Sequence, residues 1–263
     1  MSILHALATL LLGTPLAVWG AILCVLVLAD AIGNREFAAE LGLKYPNIVN
    51  GFMICLIYAA LLPLIVAAHL YTHSVIPNGL FPLPGSAHGG IALIFDLAIY
   101  FFVADFFYYW WHRAQHHFPR LWAWHAVHHS DAHVNATTYV RQHWNEVGIQ
   151  ALVVTIPLLI LFGNTKIPLA CGWAFTAWNF FIHANRDIGS GVWSRIVTTP
   201  NQHRMHHATD EAYHNTNFAS HFPLWDIAFG TFAEGRKGPI ETGLTAKDQH
   251  LRGIQIDMLW TRR

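Results

Sequence analysis

Residues 89–116 read GGIALIFDLAIYFFVADFFYYWWHRAQH, a long apolar run that ends in two histidines. The run from Gly89 to Trp111 exceeds the roughly 20 residues that a helix needs to cross the hydrocarbon core of a bilayer. His112 and His116 follow it four residues apart, so they share one face of a helix. This stretch therefore predicts a membrane-spanning helix that presents imidazole side chains at its end.

Two other motifs repeat this concentration of histidines further along the chain. They are HAVHH at residues 125–129 and HRMHH at residues 203–207. On a helix, each motif would point its imidazoles in one direction. The three motifs supply eight histidines: His112, His116, His125, His128, His129, His203, His206 and His207. One transition metal takes about four to six ligands, so eight imidazoles indicate two metal ions side by side.

The composition indicates a membrane protein. Hydrophobic residues make up 54% of the chain and charged residues only 11%, whereas about 25% of a typical soluble domain is charged. Further apolar runs cover residues 15–33, 49–73, 147–163 and 167–182, of which the last two form a helical hairpin. We predict an all-α, multi-pass membrane bundle of about four spans plus this hairpin, with a cytoplasmic histidine-rich cap.

The predicted organisation has three parts. Residues 1–91 hold the N-terminal membrane spans, residues 92–235 hold the three histidine motifs, and residues 236–263 form a C-terminal cytoplasmic tail. With the N-terminus outside, all 15 Lys and Arg residues except Lys166 lie on the cytoplasmic side, in agreement with the positive-inside rule. The active site is then cytoplasmic, at a bacterial inner membrane or the endoplasmic reticulum.

Several residues around the histidines extend the pattern. Asp105 lies two helical turns before the first motif, Thr199-Pro200 precedes the third, and a WD..FGT motif covers residues 225–231. This order and spacing resembles the fatty acid hydroxylase and sterol desaturase superfamily. Members of that superfamily are integral-membrane, non-haem di-metal oxygenases with HxxxH, HxxHH and HxxHH boxes. The resemblance extends from about Ala92 to Thr231, which makes residues 92–235 a fatty acid hydroxylase-like catalytic domain.

The resemblance adds residues to the predicted site. Hydroxylases of the superfamily often carry a further HxxxH, and here the matching stretch is Asn179-Phe-Phe-Ile-His183. His183 becomes a ninth metal ligand. Asn179 is assigned a catalytic role, as a weaker amide ligand, as a holder of metal-bound water, or as a residue that leaves a coordination position open.

Acidic residues are expected to orient the ligand rings through hydrogen bonds. Asp105 is the first candidate and is assigned to the catalytic residues, because a carboxylate within a membrane span is costly without a partner. Asp226 and Glu146 are the next candidates. For Glu146 a solvated interfacial charge is an equal alternative.

The resemblance implies O2-dependent oxidation of a lipid, which could be a fatty acyl chain, a sterol or other isoprenoid, or a polar lipid. Hydroxylation is favoured over desaturation. The implied cofactors are two iron ions, with O2 as co-substrate, although imidazoles also suit zinc, which could occupy a purified form. Electrons would come from a cytochrome b5- or ferredoxin-type carrier and its reductase.

The alternative function is transport of zinc or iron across the membrane. A transporter would need ligating residues at mid-membrane along a path through several helices. The histidine motifs instead follow the apolar runs on one side, which favours the enzyme. The formal net charge of +0 argues against a nucleic-acid partner, so the expected partners besides the carrier are membrane lipids.

Overall fold

The computed structural model describes residues 37–83, 90–163, 167–189 and 191–251. In these residues the regular structure is helical and contains no strand, which confirms the all-α prediction for them. The predicted span at residues 15–33 lies outside the described residues.

Seven α-helices lie in the described ranges, with short 3₁₀ turns between some of them. They are α1 (Phe37–Val75), α2 (Gly90–His117), α3 (Pro119–His129), α4 (Trp144–Phe162), α5 (Ile167–Ile182), α6 (Pro200–His206) and α7 (Leu224–Ala228).

Two of these helices are long and apolar enough to cross a membrane. They are α2, with 28 residues, and α4, with 19 residues, which contain 18-residue windows with mean hydropathies of 2.0 and 1.8. α1 is bent by 47° between Lys44–Tyr58 and Pro63–Val75, because a proline inside a helix removes a backbone hydrogen bond and clashes with the preceding turn. If the bent pair is one span, the described residues hold three spans.

The second helix of the predicted hairpin, α5, differs from a complete span. It has 16 residues, fewer than the roughly 20 that the hydrocarbon core requires. The described ranges hold two helices that are long and apolar enough to span a membrane, or three candidates if the bent pair in α1 is one span. The total of about four spans plus a hairpin includes residues 15–33, which lie outside the described residues, and stays a prediction.

Three helices, α3, α4 and α5, pack against α2. Its middle contributes Tyr100 and Ala104 to an apolar core that also contains Leu158 and Phe162 of α4. At the N-terminal end of α2, Ile91 and Ile94 are exposed, as expected for side chains that face lipid. The C-terminal end of α2 instead packs against α3 and carries the first histidine motif. One helix thus joins the apolar half of the protein to its histidine-rich half.

A polar contact holds α1 against the loop that follows the second histidine motif. The side-chain amide of Asn47 donates to Asp131 (3.0 Å) and Thr137 (3.2 Å), and its oxygen accepts from Arg141 Nη1 (3.0 Å). Arg141 also donates through Nε (3.0 Å) and Nη2 (2.8 Å) to Ser130 Oγ. Since Asn47 and Arg141 are buried, a lost partner would leave a polar group without compensation.

Replacing Asn47 by leucine should lower the free energy of unfolding by about 1–3 kcal/mol, because the half-buried carboxylate of Asp131 and the buried guanidinium of Arg141 then lose a partner. The measurement is thermal unfolding of the purified protein in detergent. The matched control is Ser74→Ala, since the Ser74 hydroxyl is exposed and donates only within its own helix, to the Tyr71 carbonyl. Equal melting temperatures for the two variants would contradict the prediction.

Candidate metal centre

Local sequence places each histidine motif at a helix end. α2 carries His112 and His116 in its last two turns, and α3 begins immediately afterwards with Pro119 at its start, a position that suits proline. α6 begins with a capping box in which Thr199 and Gln202 exchange hydrogen bonds between side chain and backbone. The three helix ends converge, and the end of α5 brings His183 to the same place.

The convergent histidines form two groups, in each of which one ring nitrogen per residue lies within 4.8 Å of the others. The five-histidine group consists of His112, His116, His125, His129 and His206. The four-histidine group consists of His128, His183, His203 and His207. The groups are neighbours, since the rings of His129 and His207 stack with centroids 4.3 Å apart. The structure thus brings together all nine histidines that the sequence analysis assigned as metal ligands.

Hydrogen bonds fix the orientation of five of these rings. Four Nδ1–H groups donate to backbone carbonyls: His112 to Phe218 (2.8 Å), His128 to Arg141 (3.2 Å), His183 to Asn179 (2.6 Å) and His206 to Thr216 (2.7 Å). The Nδ1–H group of His125 donates to the side-chain oxygen Oε1 of Glu146 at 3.0 Å. A carbonyl or carboxylate oxygen only accepts, so each Nδ1 carries the proton, and in a neutral imidazole Nε2 is then left with a free lone pair.

The Nε2 atoms consequently face one another without a proton between them. Those of His112 and His125 are 3.0 Å apart, and those of His128 and His183 are 3.1 Å apart. Two nitrogens bound to one metal at about 2.1 Å each and at right angles also lie about 3 Å apart. A cation between the lone pairs removes their repulsion, so this donor set fits a transition metal in each group.

The buried surroundings keep the imidazoles neutral. Burial, and after it the neighbouring imidazoles, holds the pKa of His128, His129 and His207 well below the ordinary histidine value. The same two causes lower the pKa of His203 well below that value. Because only a neutral imidazole binds metal, these four rings are in the ligating protonation state at pH 7.

Asp105 has a different partner from the one expected. Its buried carboxylate accepts the backbone N–H groups of Ser220 (3.1 Å), His221 (3.1 Å) and Phe222 (2.8 Å), rather than a proton from a ring of the two groups. Asp105 therefore fixes the loop that presents the Phe218 carbonyl to His112. It acts on the ligand ring through this loop instead of through a direct hydrogen bond.

Asp226 of the WD..FGT motif holds the same loop from the other side. Its carboxylate accepts the N–H groups of Phe218 (2.7 Å) and Ala219 (2.9 Å) and the hydroxyl of Thr231 (2.7 Å). Glu146, in contrast, is buried and contacts His125 directly, so the solvated alternative for Glu146 is wrong.

Asn179 belongs to neither histidine group. Its side-chain nitrogen donates to the Phe175 carbonyl (2.8 Å), and its side-chain oxygen accepts from Ser220 Oγ (3.0 Å). What it offers the site is the backbone carbonyl that accepts from His183. This geometry favours a role in which Asn179 positions the ring of His183 over a role in which its side-chain amide binds the metal.

Sequence reasoning missed the backbone carbonyls of Arg141, Thr216 and Phe218, which orient three of the rings. Every residue type has a carbonyl, so the residue names gave no signal for these acceptors. The nearest indication was the WD..FGT motif, whose aspartate holds the loop that contains Phe218.

A cavity of about 500 Å³ lies beside the five-histidine group. His116, His129 and His206 line it, and residues 243–251 contribute another part of its wall. Among the described residues that line this cavity there is no histidine of the four-histidine group. The Nε2 atoms of these three histidines are buried, so the cavity contacts only the outer side of the five-histidine group.

Comparison with known proteins agrees with the motifs. The model of the fatty acid hydroxylase family matches residues 97–231, just over half of the chain. The ornithine lipid hydroxylase OlsE of Rhizobium tropici is 31% identical over 157 residues, which are 59% of this chain and 47% of that protein. The alkylglycerol monooxygenase of Homo sapiens is 31% identical over 171 residues, or 61% of this chain and 37% of that protein.

A second alkylglycerol monooxygenase, from Danio rerio, is 32% identical over 133 residues, which are 51% of this chain and 29% of that protein. The chain thus spans less than half the length of these relatives. No solved structure shows significant similarity to the chain. The family match contains all nine convergent histidines and confirms the resemblance inferred from the motifs, so the chain belongs to the fatty acid hydroxylase family.

Proposed function

We propose that the chain is a membrane enzyme that uses O2 to hydroxylate a polar lipid at two iron ions bound by the nine histidines. The observation that carries this proposal is the pair of buried histidine groups, in which five of the nine Nδ1 atoms are engaged and the Nε2 lone pairs of His112 and His125, and of His128 and His183, face each other. Such an arrangement is costly without cations between the nitrogens. The family membership supports the lipid-oxidising reaction.

Each histidine group would hold one ion. Imidazole ligands suit both iron and zinc, but an oxygenation needs a metal that changes its oxidation state. Iron bound here would supply the redox chemistry that activates O2. The residues of the chain hold the rings in place: the Glu146 carboxylate accepts the Nδ1 proton of His125, and backbone carbonyls accept those of four other rings.

The reaction inserts one oxygen atom of O2 into a C–H bond and releases the other as water. Its balance requires two electrons and two protons from outside the substrate. We assign the electrons to a one-electron carrier protein of the cytochrome b5 or ferredoxin class, with its reductase. The proposed orientation places the N-terminus outside and the site in the cytoplasm, where such a carrier is available, and the distribution of Lys and Arg supports it.

A polar lipid is the favoured substrate class. The two kinds of relative are named for hydroxylation of an ornithine lipid and for mono-oxygenation of alkylglycerol, and both substrates are lipids with a polar head. Both names also favour hydroxylation over desaturation. Transport of a metal ion across the membrane remains the second candidate function. The two histidine groups, however, lie together at helix ends rather than along a path between the spans.

Incubation of the iron-loaded protein with ¹⁸O2, a reductant and lipid vesicles tests the reaction. The vesicles contain either an ornithine lipid or a 1-O-alkylglycerol, and mass spectrometry follows the lipids. The expected product carries one ¹⁸O atom, because a monooxygenase takes the inserted atom from O2. Loss of two hydrogens without added oxygen would indicate desaturation. Metal uptake into sealed vesicles without O2 consumption would establish the transporter.

The Glu146→Gln variant should reduce iron affinity or turnover about 10- to 100-fold, since hydrogen-bond partners of metal-ligating histidines have effects of this size. His125→Ala should abolish turnover, because it removes the proposed ligand itself. His133→Ala is the matched control: this exposed residue lies in the same part of the chain and outside both groups. Turnover of Glu146→Gln equal to that of the control would count against ligation by His125.

A further inference from the structure

Three further histidines line the cavity beside the five-histidine group and belong to neither group. They are the exposed His117 and His250 and the half-buried His214. The same wall contains the half-buried carboxylate of Asp248 and the exposed Lys247. Imidazole and carboxylate are both ligands of Fe²⁺. The wall thus carries candidate metal ligands between the solvent and the proposed metal centre.

Two of these histidines lie close to ligand histidines. His117 directly follows His116 in the chain. His214 lies two residues before Thr216, whose carbonyl accepts from Nδ1 of His206 (2.7 Å). Both therefore belong to segments that contact the five-histidine group.

The third histidine lies in the chain segment that closes the outer wall. The backbone N–H of Gly243 in this segment donates to the carbonyl of His207 (3.1 Å), which holds the segment against the centre. The His250 ring donates from Nδ1 to the Lys247 carbonyl (3.0 Å), so Nε2 of a neutral ring keeps a free lone pair. The lone pair of an exposed ring is available to an ion from solution.

Two ligand rings on the cavity side are free to turn. Among the described residues, no hydrogen bond holds Nδ1 of His116 or His129, whereas His206 is held by the Thr216 carbonyl. The terminal torsion of a histidine has a broad energy minimum. His116 and His129 can therefore rotate toward the cavity without the loss of a hydrogen bond. Their Nε2 atoms are buried, so an ion reaches the group only when a ring turns.

The cavity is large enough for a hydrated metal ion. Six water molecules around Fe²⁺ occupy on the order of 200 Å³, at about 30 Å³ each. The cavity volume is about 500 Å³. The ion can thus enter with its water ligands and exchange them for imidazoles inside.

We propose that this cavity is the route by which Fe²⁺ reaches the five-histidine group. His250, His117 and Asp248 bind the hydrated ion at the solvent side, and His214 binds it further in. His116 and His129 then turn to take it into the group. The ion remains Fe²⁺ throughout, and each step replaces a water ligand by a protein ligand. The inference rests on the proposed function and adds how the metal arrives.

The kinetics of iron uptake and release test this route. The full-length chain with His183→Ala is used, so that only the five-histidine group fills. Uptake of Fe²⁺ by the metal-free protein is followed without O2, and release from the loaded protein is followed with an excess of an Fe²⁺ chelator. In the triple variant His117→Ala, His214→Ala, His250→Ala, both rates should fall about tenfold, at the lower end of what a lined cleft adds to an association rate. The final iron content and the affinity should not change, because a route alters both rates by the same factor.

His133→Ala in the same background is the matched control, since this exposed histidine does not line the cavity. Rates of the triple variant equal to those of the control would overturn the inference and leave the proposed function intact. Slower uptake with faster or unchanged release would show weaker binding of the final ion, and would also overturn the inference. Absence of bound iron from the unmodified chain would overturn both.

The two charges at the solvent side give a second test with opposite signs. Lys247→Ala should accelerate uptake, because it removes a positive charge that repels the cation, and Asp248→Asn should slow it. Both effects should shrink at high salt. A general defect of folding would slow uptake in both variants. Changes of equal sign, or none, would contradict a route past these residues.

Discussion

The repulsion between convergent nitrogen lone pairs is the constraint on which the rest of this structure depends. In the pairs His112–His125 and His128–His183, both Nδ1 atoms are engaged by oxygen acceptors, so both Nε2 atoms present lone pairs about 3 Å apart. Burial and neighbouring imidazoles disfavour the protonation that would relieve this contact at His128, whose pKa is lowered. A bound cation stabilises the arrangement, and the surrounding chain must hold the rings until it binds.

The fold holds the histidine rings in place because the oxygen atoms that accept from their Nδ1–H groups are themselves fixed. The loop around Phe218 is held by two buried carboxylates, those of Asp105 and Asp226, which together accept five backbone N–H groups. The loop after the second motif is held through Arg141, which Asn47 of α1 ties to the apolar half of the protein. Because these polar groups are buried and satisfied, a displacement of either loop would cost several hydrogen bonds. Ring orientation is thereby coupled to the packing of the helices.

The nine histidines could be predicted from the sequence because helical spacing and the family motif place them on shared faces. The carbonyl of Phe218 could not, since a backbone acceptor has no signature in the residue type. Asp105 was recognised as a buried carboxylate that needs a partner, but its partner is a loop more than 100 residues away. Hydrophobicity identified the apolar helices, whereas the bend in α1 and the 16 residues of α5 made the number of spans uncertain from length alone. Gly243 and Thr242 donate hydrogen bonds to the carbonyls of His207 and Ala132, and no local pattern shows these tertiary contacts.

Iron content and iron ligation together test the proposal that the nine histidines bind two metal ions in two separate groups. The most direct measurement combines iron quantification with X-ray absorption spectroscopy at the iron edge, on the wild-type protein and on His183→Ala. We expect two iron ions per wild-type chain with imidazole nitrogen as the main ligand. In the variant we expect one ion to be lost while the five-histidine group keeps the other. A single ion in the wild-type protein, or a ligand shell without imidazole, would contradict the proposal.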